Sequence, residues 1–234
     1  MAVVVPGKWN QVKGKAQTDT SSSDNYYLVT PASGTGPGVI VLHAWWGLNP
    51  FLKNLGQRLA QQGFVALDPD LYHGVTASTV EEAQSLRSTL KRDMVSAEIA
   101  QAVEYLRAQP SVRGHDIGVI GFSLGAYWAL WRADQKFSAI RATVVFYGTR
   151  HGDYTETPSA FLGHFAEHDD WVATSSVKKL EKTLRKAGKE VAFYVYPGTR
   201  HWFFEQDRLD AYDAQAAKLA WERTVEFLRH HLYA

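Results

Sequence analysis

The sequence predicts an α/β fold in which helices cover both faces of a mainly parallel sheet. Short runs of β-branched and apolar residues alternate with longer segments of helical periodicity, as in repeated βαβ units. One of these runs, VIVLH at residues 39–43, is apolar almost throughout, as expected for a strand buried on both faces. The chain has 234 residues, of which 45% are hydrophobic, so it is long enough to bury a sizeable core.

Seven short segments rich in β-branched or aromatic residues are predicted to be strands. In chain order they are Asn25–Thr30, Val39–His43, Phe64–Leu67, Ile117–Ile120, Thr143–Tyr147, Ala160–Phe165 and Val191–Tyr196. The turn residues PASGTGPG at 31–38 separate the first two strands. These two strands are therefore candidates for a hairpin that adds an antiparallel strand at one edge of the sheet.

Six segments have the periodicity of amphipathic helices. They are Leu52–Gln62, Thr79–Leu90, Met94–Gln109, Leu124–Asp134, Ser175–Ala187 and Asp207–Leu232. Gly63 follows the first helix, as a terminating glycine commonly does. Thr79 and Glu82 have the spacing of a capping box. The polar segment 149–158 is a candidate for a mobile rim. No repeat or long linker interrupts the alternation, so a single domain over 1–234 is predicted.

Composition and charge argue against several classes of partner. The 25 basic and 24 acidic residues are interspersed, whereas nucleic-acid binding requires clustered positive charge. The chain has no cysteine, which excludes disulfides, thiolate metal sites and a cysteine nucleophile. No apolar run is long enough to span a membrane, and residues 1–15 lack the pattern of a signal peptide. We therefore expect a cytoplasmic monomer or homodimer that binds neither nucleic acid nor membranes.

A parallel sheet of this kind binds ligands beyond the carboxyl ends of its strands, so the residues after each strand are the candidates for function. The run GFSLG at 121–125 follows a predicted strand and opens a helical segment. In that context Gly-x-Ser-x-Gly indicates a nucleophile elbow, a sharp turn that exposes the serine hydroxyl. We predict Ser123 as the nucleophile. The N–H group of Leu124 is predicted to stabilise an oxyanion at the helix N-terminus.

A serine hydroxyl is a weak nucleophile and needs a general base. In folds that use this elbow, an acid and then a histidine follow the serine along the chain. Of nine histidines, His201 is the one that follows both a predicted strand and the acidic candidates. We predict His201 as the base and Asp169 as the acid that orients it, with Asp170 as an alternative. The adjacent residues 167–169 (EHD) are not expected to bind a metal, because neighbours in an extended segment point to opposite faces.

A second oxyanion donor is expected from the loop that follows the strand at 39–43, where the Trp45 N–H group is the candidate. Four aromatic residues near these positions are candidates for the substrate pocket: Trp46, Tyr147, Trp171 and Trp202. If they line a pocket, the substrate is apolar or aromatic. The alternative, that most of them belong to the core, stays open because aromatic residues dominate core packing generally. No cofactor is expected.

Together these segments resemble the dienelactone hydrolase family of α/β-hydrolase fold. The resemblance rests on VIVLHAWWGLNPFLKNLGQRLAQQGFVALDPDLYHG, GFSLG, VVFYG, EHDDWV and YPGTRHWF, which span residues 39–203. It implies an eight-stranded sheet, a catalytic triad and cofactor-free hydrolysis of esters or lactones. It places the nucleophile, acid and base at Ser123, Asp169 and His201, and the oxyanion amides at Trp45 and Leu124.

The sequence departs from the founding enzymes of that family at three positions. Ser123 stands where they have cysteine, and Ala44 stands where they have a glutamate that helps manage the thiol proton. The two changes agree, because a serine activated by His201 has no need of that glutamate. Glu205 lies where those enzymes hold a substrate carboxylate with arginine, and an anion there would repel a carboxylate. We therefore expect a neutral ester, thioester or lactone as the substrate.

Alternative functions remain open beside a carboxylic-ester hydrolase that forms an acyl-enzyme on Ser123. One is a dienelactone-type lactonase. A peptidase of the same fold is less favoured, because the sequence shows neither a propeller nor a large cap domain that would select peptides. A non-catalytic binding protein on a hydrolase scaffold is the alternative from another class, and the intact set of triad residues argues against it.

Overall fold

The computed structural model describes residues 25–135 and 139–233, which form seven strands and six helices. In chain order these elements are β1 (Tyr26–Val29), β2 (Gly36–Leu42), α1 (Pro50–Gln61), β3 (Val65–Pro69), α2 (Val80–Thr89), α3 (Arg92–Arg107), β4 (Val112–Phe122), α4 (Leu124–Asp134), β5 (Ile140–Phe146), β6 (Ala160–His168), α5 (Thr174–Lys186), β7 (Val191–Arg200) and α6 (Ala214–Leu232). All predicted elements are present, with shifted boundaries. The expectation about residues 1–15 lies outside the described residues, and the single domain over 1–234 stays a prediction.

The seven strands of the described residues form one sheet in the order β1-β3-β2-β4-β5-β6-β7. Every neighbouring pair is parallel except β1 and β3. The described sheet thus has one strand fewer than the eight that the family resemblance implies. The predicted hairpin of the first two strands is wrong. Both edges of β2 are occupied by the parallel strands β3 and β4, so β1 pairs antiparallel with β3 at the edge.

Helices cover both faces of the sheet, as predicted. Alternating residues of β5 show this arrangement, because successive side chains of a strand point to opposite faces. Val144 and Phe146 belong to a buried cluster that includes residues of α1 and α6. Val145 belongs to a cluster on the opposite face with residues of α4 and α5. The helix α3 packs on this second face beside α4.

Polar side chains define where three of the helices begin. The Asn49 side chain accepts a hydrogen bond from Leu52 N at the start of α1. The predicted capping box of Thr79 and Glu82 is confirmed at the start of α2. Asp213 caps α6, so the prediction that this helix begins at 207 is wrong. Such caps contribute about 1 kcal/mol each to helix stability. Residues 207–213 instead form turns beside the candidate site.

Two segments near the strand ends differ in how firmly they are held. The helix α2 has Ala83 as its only buried residue. The segment 149–158, predicted as a rim, is tied to the body of the protein. Arg150 forms an ion pair with Asp134 at 2.7 Å, and Tyr154 is buried. In the described part of the chain, no helix is long and apolar enough to cross a membrane.

Candidate active site

Ser123 occupies a strained turn between β4 and α4, with φ +50° and ψ −105°. Two glycines make this turn possible. A Cβ atom at Gly121 would overlap the carbonyl oxygen of Gly125, and a Cβ atom at Gly125 would overlap the carbonyl oxygen of Leu42. The Ser123 N–H group donates to Phe146 O at 3.0 Å. The turn therefore has the geometry of the nucleophile elbow that the sequence predicts, and it holds the hydroxyl group at the carboxyl end of the sheet.

The three predicted triad side chains lie in one hydrogen-bonded row. The Ser123 hydroxyl group is 2.9 Å from His201 Nε2. His201 Nδ1 is 2.9 Å from Asp169 Oδ1 and 2.8 Å from Asp169 Oδ2. The imidazole and the carboxylate are buried, with side chains 4% and 5% exposed. This geometry lets Nε2 receive a proton from the serine while Nδ1–H stays bonded to the carboxylate.

The structure separates the two candidate acids. Asp169 lies just beyond β6, and its Oδ1 also accepts hydrogen bonds from Trp171 N at 2.8 Å and Val172 N at 2.9 Å. Asp170 is exposed to solvent, and the hydrogen bonds of His201 Nδ1 go to Asp169 instead. The backbone donors fix the orientation of the Asp169 carboxylate, which in turn orients the imidazole ring.

The two amides predicted as oxyanion donors belong to segments that are in contact. Gly125 packs directly against the backbone carbonyl groups of Leu42 and His43, at the end of β2. This contact brings the N-terminus of α4, where Leu124 is the first residue, against the loop that contains Trp45. Within the described residues, neither amide donates a backbone hydrogen bond outside regular structure. Both N–H groups are therefore available to a substrate oxygen.

A cavity of about 690 Å³ opens above Ser123 and His201. Three of the four predicted pocket residues line it: Tyr147, Trp171 and Trp202. The fourth, Trp46, does not line the cavity. It is buried behind Trp202, with ring centroids 5.4 Å apart, and the guanidinium group of Arg208 lies 3.6 Å from the centre of its ring. Trp46 is thus a core residue that supports the cavity wall.

A second part of the cavity wall is polar, and the sequence did not predict it. The helix α2, the segment after it and the first residue of α3 contribute five residues to this wall: Gln84, Arg87, Ser88, Leu90 and Arg92. Residues 84, 87, 88 and 92 are exposed. No local sequence pattern identifies these residues, because their role depends on where the fold places α2 relative to the cavity. Two guanidinium groups therefore line a cavity that was expected to be apolar.

The expected repulsion of a carboxylate substrate by Glu205 is wrong. Glu205 is 2% exposed, does not line the cavity, and accepts a hydrogen bond from the Tyr147 hydroxyl group at 2.7 Å. Burial raises the pKa of Glu205 to about 8. The carboxyl group is therefore largely neutral at pH 7 and exerts little repulsion on a ligand.

His164 is a buried histidine that does not take part in the site. Its Nδ1 is 2.8 Å from the Tyr196 hydroxyl group and its Nε2 is 3.0 Å from the Thr224 hydroxyl group. Burial lowers the pKa of His164 to about 3, so the ring stays neutral and structural. In the described ranges, no three His, Asp or Glu side chains are grouped so that they would hold a metal ion.

Comparisons with a family model, curated relatives and solved structures show what this chain is similar to. The model of the dienelactone hydrolase family matches residues 25–232. Protein usf of Aquifex pyrophilus is 35% identical over 88% of this chain and 93% of its own length. The carboxymethylenebutenolidase of a Pseudomonas species is 29% identical over 87% of this chain and 88% of its own length. A dienelactone hydrolase-like promiscuous phosphotriesterase from metagenomic libraries superimposes with a TM-score of 0.79 at 24% identity, covering 88% of this chain and 92% of its own.

Proposed function

Since the chain belongs to the dienelactone hydrolase family and is a hydrolase of ester or lactone bonds, we propose that it cleaves carboxylic esters through an acyl-enzyme on Ser123. The observation that supports this proposal most directly is the continuous row from Ser123 through His201 to Asp169. Each donor and acceptor in that row lies within 2.9 Å of the next. The substrate is proposed to be a small molecule.

In the proposed mechanism, His201 Nε2 takes the Ser123 proton as the serine oxygen attacks the carbonyl carbon. The carbonyl oxygen becomes an oxyanion that accepts hydrogen bonds from the N–H groups of Trp45 and Leu124. The bond to the leaving oxygen then breaks, and His201 gives its proton to that oxygen. A water molecule repeats these steps on the acyl-enzyme and releases the acid. Asp169 stays ionised throughout and stabilises the imidazolium.

The surroundings of the nucleophile suit serine. Ala44, which precedes Trp45 in the loop after β2, is 1% exposed and carries no acidic group. The hydroxyl proton is therefore proposed to transfer to His201, the base at hydrogen-bond distance. The tryptophans of the cavity wall, Trp171 and Trp202, give the acyl or leaving group an apolar surface.

The test is active-site labelling with a fluorophosphonate, together with turnover of p-nitrophenyl esters of increasing acyl length. Wild type is expected to be labelled, and Ser123→Ala is expected to lose labelling and at least about 10³-fold in kcat. Ser85→Ala, which removes an exposed hydroxyl group on α2, is the matched control and is expected to keep both. Unchanged ester turnover in Ser123→Ala would overturn the proposal. A folded wild type that resists the label would point instead to a binding protein.

A second candidate is a lactonase that acts on a carboxylate-bearing substrate. It is favoured by Arg87 and Arg92 in the cavity wall, since guanidinium groups bind carboxylates with charge-assisted hydrogen bonds. The Pseudomonas relative is named for activity on a carboxymethylenebutenolide. Comparing kcat/KM for a carboxylate-bearing lactone with that for its methyl ester separates the two candidates. Preference for the anionic form supports the lactonase, and preference for the neutral form supports the esterase.

A further inference from the structure

His43 is a buried histidine that contacts the loop after β2, which contains Trp45. It does not line the cavity. It follows β2 directly and is 1% exposed. Its Nδ1 lies 2.6 Å from the carbonyl oxygen of Ala44, and its Nε2 lies 3.1 Å from the backbone nitrogen of Leu71. The ring also packs on Tyr72, with ring centroids 4.9 Å apart. These contacts hold the imidazole between the loop after β2 and the loop after β3.

The partners of His43 determine which of its nitrogens carries a proton. A backbone N–H group only donates, so Nε2 must accept the hydrogen bond from Leu71. A carbonyl oxygen only accepts, so Nδ1 must carry the proton and donate it to Ala44. Burial lowers the pKa of His43, which keeps the ring in the neutral form that offers one donor and one acceptor. The hydrogen-bond partners therefore fix the tautomer with the proton on Nδ1.

The carbonyl group that His43 holds belongs to the same peptide group as the Trp45 N–H. A peptide group is planar and, when trans, its C=O and N–H bonds point in opposite directions. The described residues contain no cis peptide bond. Fixing the Ala44 carbonyl oxygen on one side therefore fixes the direction of the Trp45 N–H on the other. A hydrogen bond to the oxygen also polarises the amide and strengthens its N–H as a donor.

We propose that His43 is a positioning residue of the oxyanion hole, whose Nδ1–H holds the Ala44 carbonyl so that the Trp45 N–H points at the substrate oxygen. This inference rests on the proposed function, in which Trp45 is an oxyanion donor. A backbone bond from Gly47 N to Ala44 O, at 3.2 Å, supports the same carbonyl. The histidine bond is shorter by 0.6 Å and links the peptide to the loop at Leu71.

Three substitutions separate the two bonds of the ring. In His43→Asn, the amide nitrogen lies as many bonds from Cα as Nδ1 does, so the donor to Ala44 O is retained while the acceptor for Leu71 N is lost. In His43→Gln, the longer side chain places an acceptor near Leu71 N but no donor at the Nδ1 position. His43→Leu removes both groups at similar volume. The donor, and therefore the asparagine variant, is the one that the proposal singles out.

The measurement is kcat and KM for a p-nitrophenyl ester, with the inhibition constant of a trifluoromethyl ketone that forms a tetrahedral adduct on serine. His43→Leu and His43→Gln are expected to lose about tenfold to a hundredfold in kcat, with the ketone weakened by the same factor and KM nearly unchanged. His43→Asn is expected to stay within about threefold of wild type. Equal losses in all three variants, or no loss in any, would overturn the proposal.

The proposal can be tested even if a His43 variant is too unstable to fold. Ring ¹⁵N shifts of His43 in the wild-type protein report the tautomer directly, and an N–H on Nε2 would overturn the proposal without any variant. Thermal unfolding identifies variants that are too unstable for kinetic comparison. Fluorophosphonate labelling separates this inference from the proposed function. Labelling that survives Ser123→Ala means that the proposed function fails, whereas Ser123-dependent labelling with wild-type kcat in His43→Leu means that only this inference fails.

Discussion

Two walls of the cavity differ in how their side chains are held. One lies at the strand ends, and the other is formed by α2 and the start of α3. On the first wall, the side chains of His201 and Asp169 are about one-twentieth exposed and lie in an unbroken row of hydrogen bonds to Ser123. On the second wall, Arg87 and Arg92 are exposed, and α2 buries a single alanine. The first wall directly follows the strands β6 and β7, whereas the second belongs to a helix that buries little of its own surface.

This difference separates chemistry from selectivity. Residues at the strand ends are fixed by a core that also holds the fold together, so their geometry changes little when the surface changes. The exposed face of α2 contributes little to the core, so its side chains can be replaced with little cost in stability. We infer that side chains of α2 and the start of α3 determine which substrates bind, while the residues at the strand ends carry out the reaction.

The largest effect on kcat is expected from a substitution in the strand-end wall. Asp169→Asn is expected to lower kcat by about 10⁴-fold, because the amide no longer holds the Nδ1–H tautomer of His201 that leaves Nε2 free to accept a proton. The measurement is kcat for a p-nitrophenyl ester. Asp170→Asn, which changes an exposed neighbour, is the matched control and is expected to remain near wild type. The reverse result would assign the acid to Asp170.

A smaller effect is expected on the α2 wall, and it concerns binding rather than chemistry. Arg87→Gln with Arg92→Gln is expected to raise KM for a carboxylate-bearing ester or lactone by about thirtyfold, since each of the two lost charge-assisted hydrogen bonds costs on the order of 1 kcal/mol. The kcat for a neutral ester is expected to change little. Lys91→Gln removes an exposed charge from the same segment, outside the cavity lining, and serves as the control. Equal losses on neutral and anionic substrates would contradict the division between the walls.

The smallest effect on turnover is expected from a substitution at Glu205, behind the strand-end wall. Glu205 is expected instead to change how the free energy of unfolding depends on pH. Unfolded Glu205 loses its proton above about pH 4.5, while the folded protein keeps the proton until about pH 8. The wild type therefore loses stability as pH rises through that window, by up to about 1.4 kcal/mol per pH unit. Glu205→Gln keeps an acceptor for Tyr147 and has no such dependence.

Urea unfolding at pH 5, 6, 7, 8 and 9 checks this prediction. The stability of Glu205→Gln relative to wild type is expected to increase across the series and to level off above pH 8. Glu226→Gln, at an exposed position of α6, is expected to run parallel to wild type throughout. Parallel curves for Glu205→Gln would show that the Glu205 carboxyl group ionises normally in the folded protein.

Local sequence signals predicted most of the strand-end wall. The elbow around Ser123 is contained within five residues, and the chain order of acid and base needs no three-dimensional information once the strands are identified. The strand at 117–120 and the glycines beside Ser123 constrain that turn by sterics alone. The triad row in the structure joins the residues that this reasoning selected.

Features that depend on distant contacts were not predictable in the same way. The hairpin expectation failed because β2 finds better partners far along the chain, in β3 and β4. The helix predicted from 207 begins at Ala214 instead, because Asp207 accepts a hydrogen bond from Asn49, 158 residues away, and Asp213 supplies the cap. The roles of Arg87 and His43 likewise depend on where other loops lie, which no pattern in their own neighbourhood encodes.

The tryptophan cluster beside the triad has an optical consequence. Trp45, Trp46, Trp171 and Trp202, half of the chain's eight tryptophans, form one connected cluster of ring contacts, and Trp171 and Trp202 also contact the His201 ring. Indoles packed so closely share excitation, and a nearby imidazole quenches their emission when it becomes charged. The intrinsic fluorescence of the protein is therefore expected to change when an acyl group arrives beside these rings, so that single turnovers are visible without any dye.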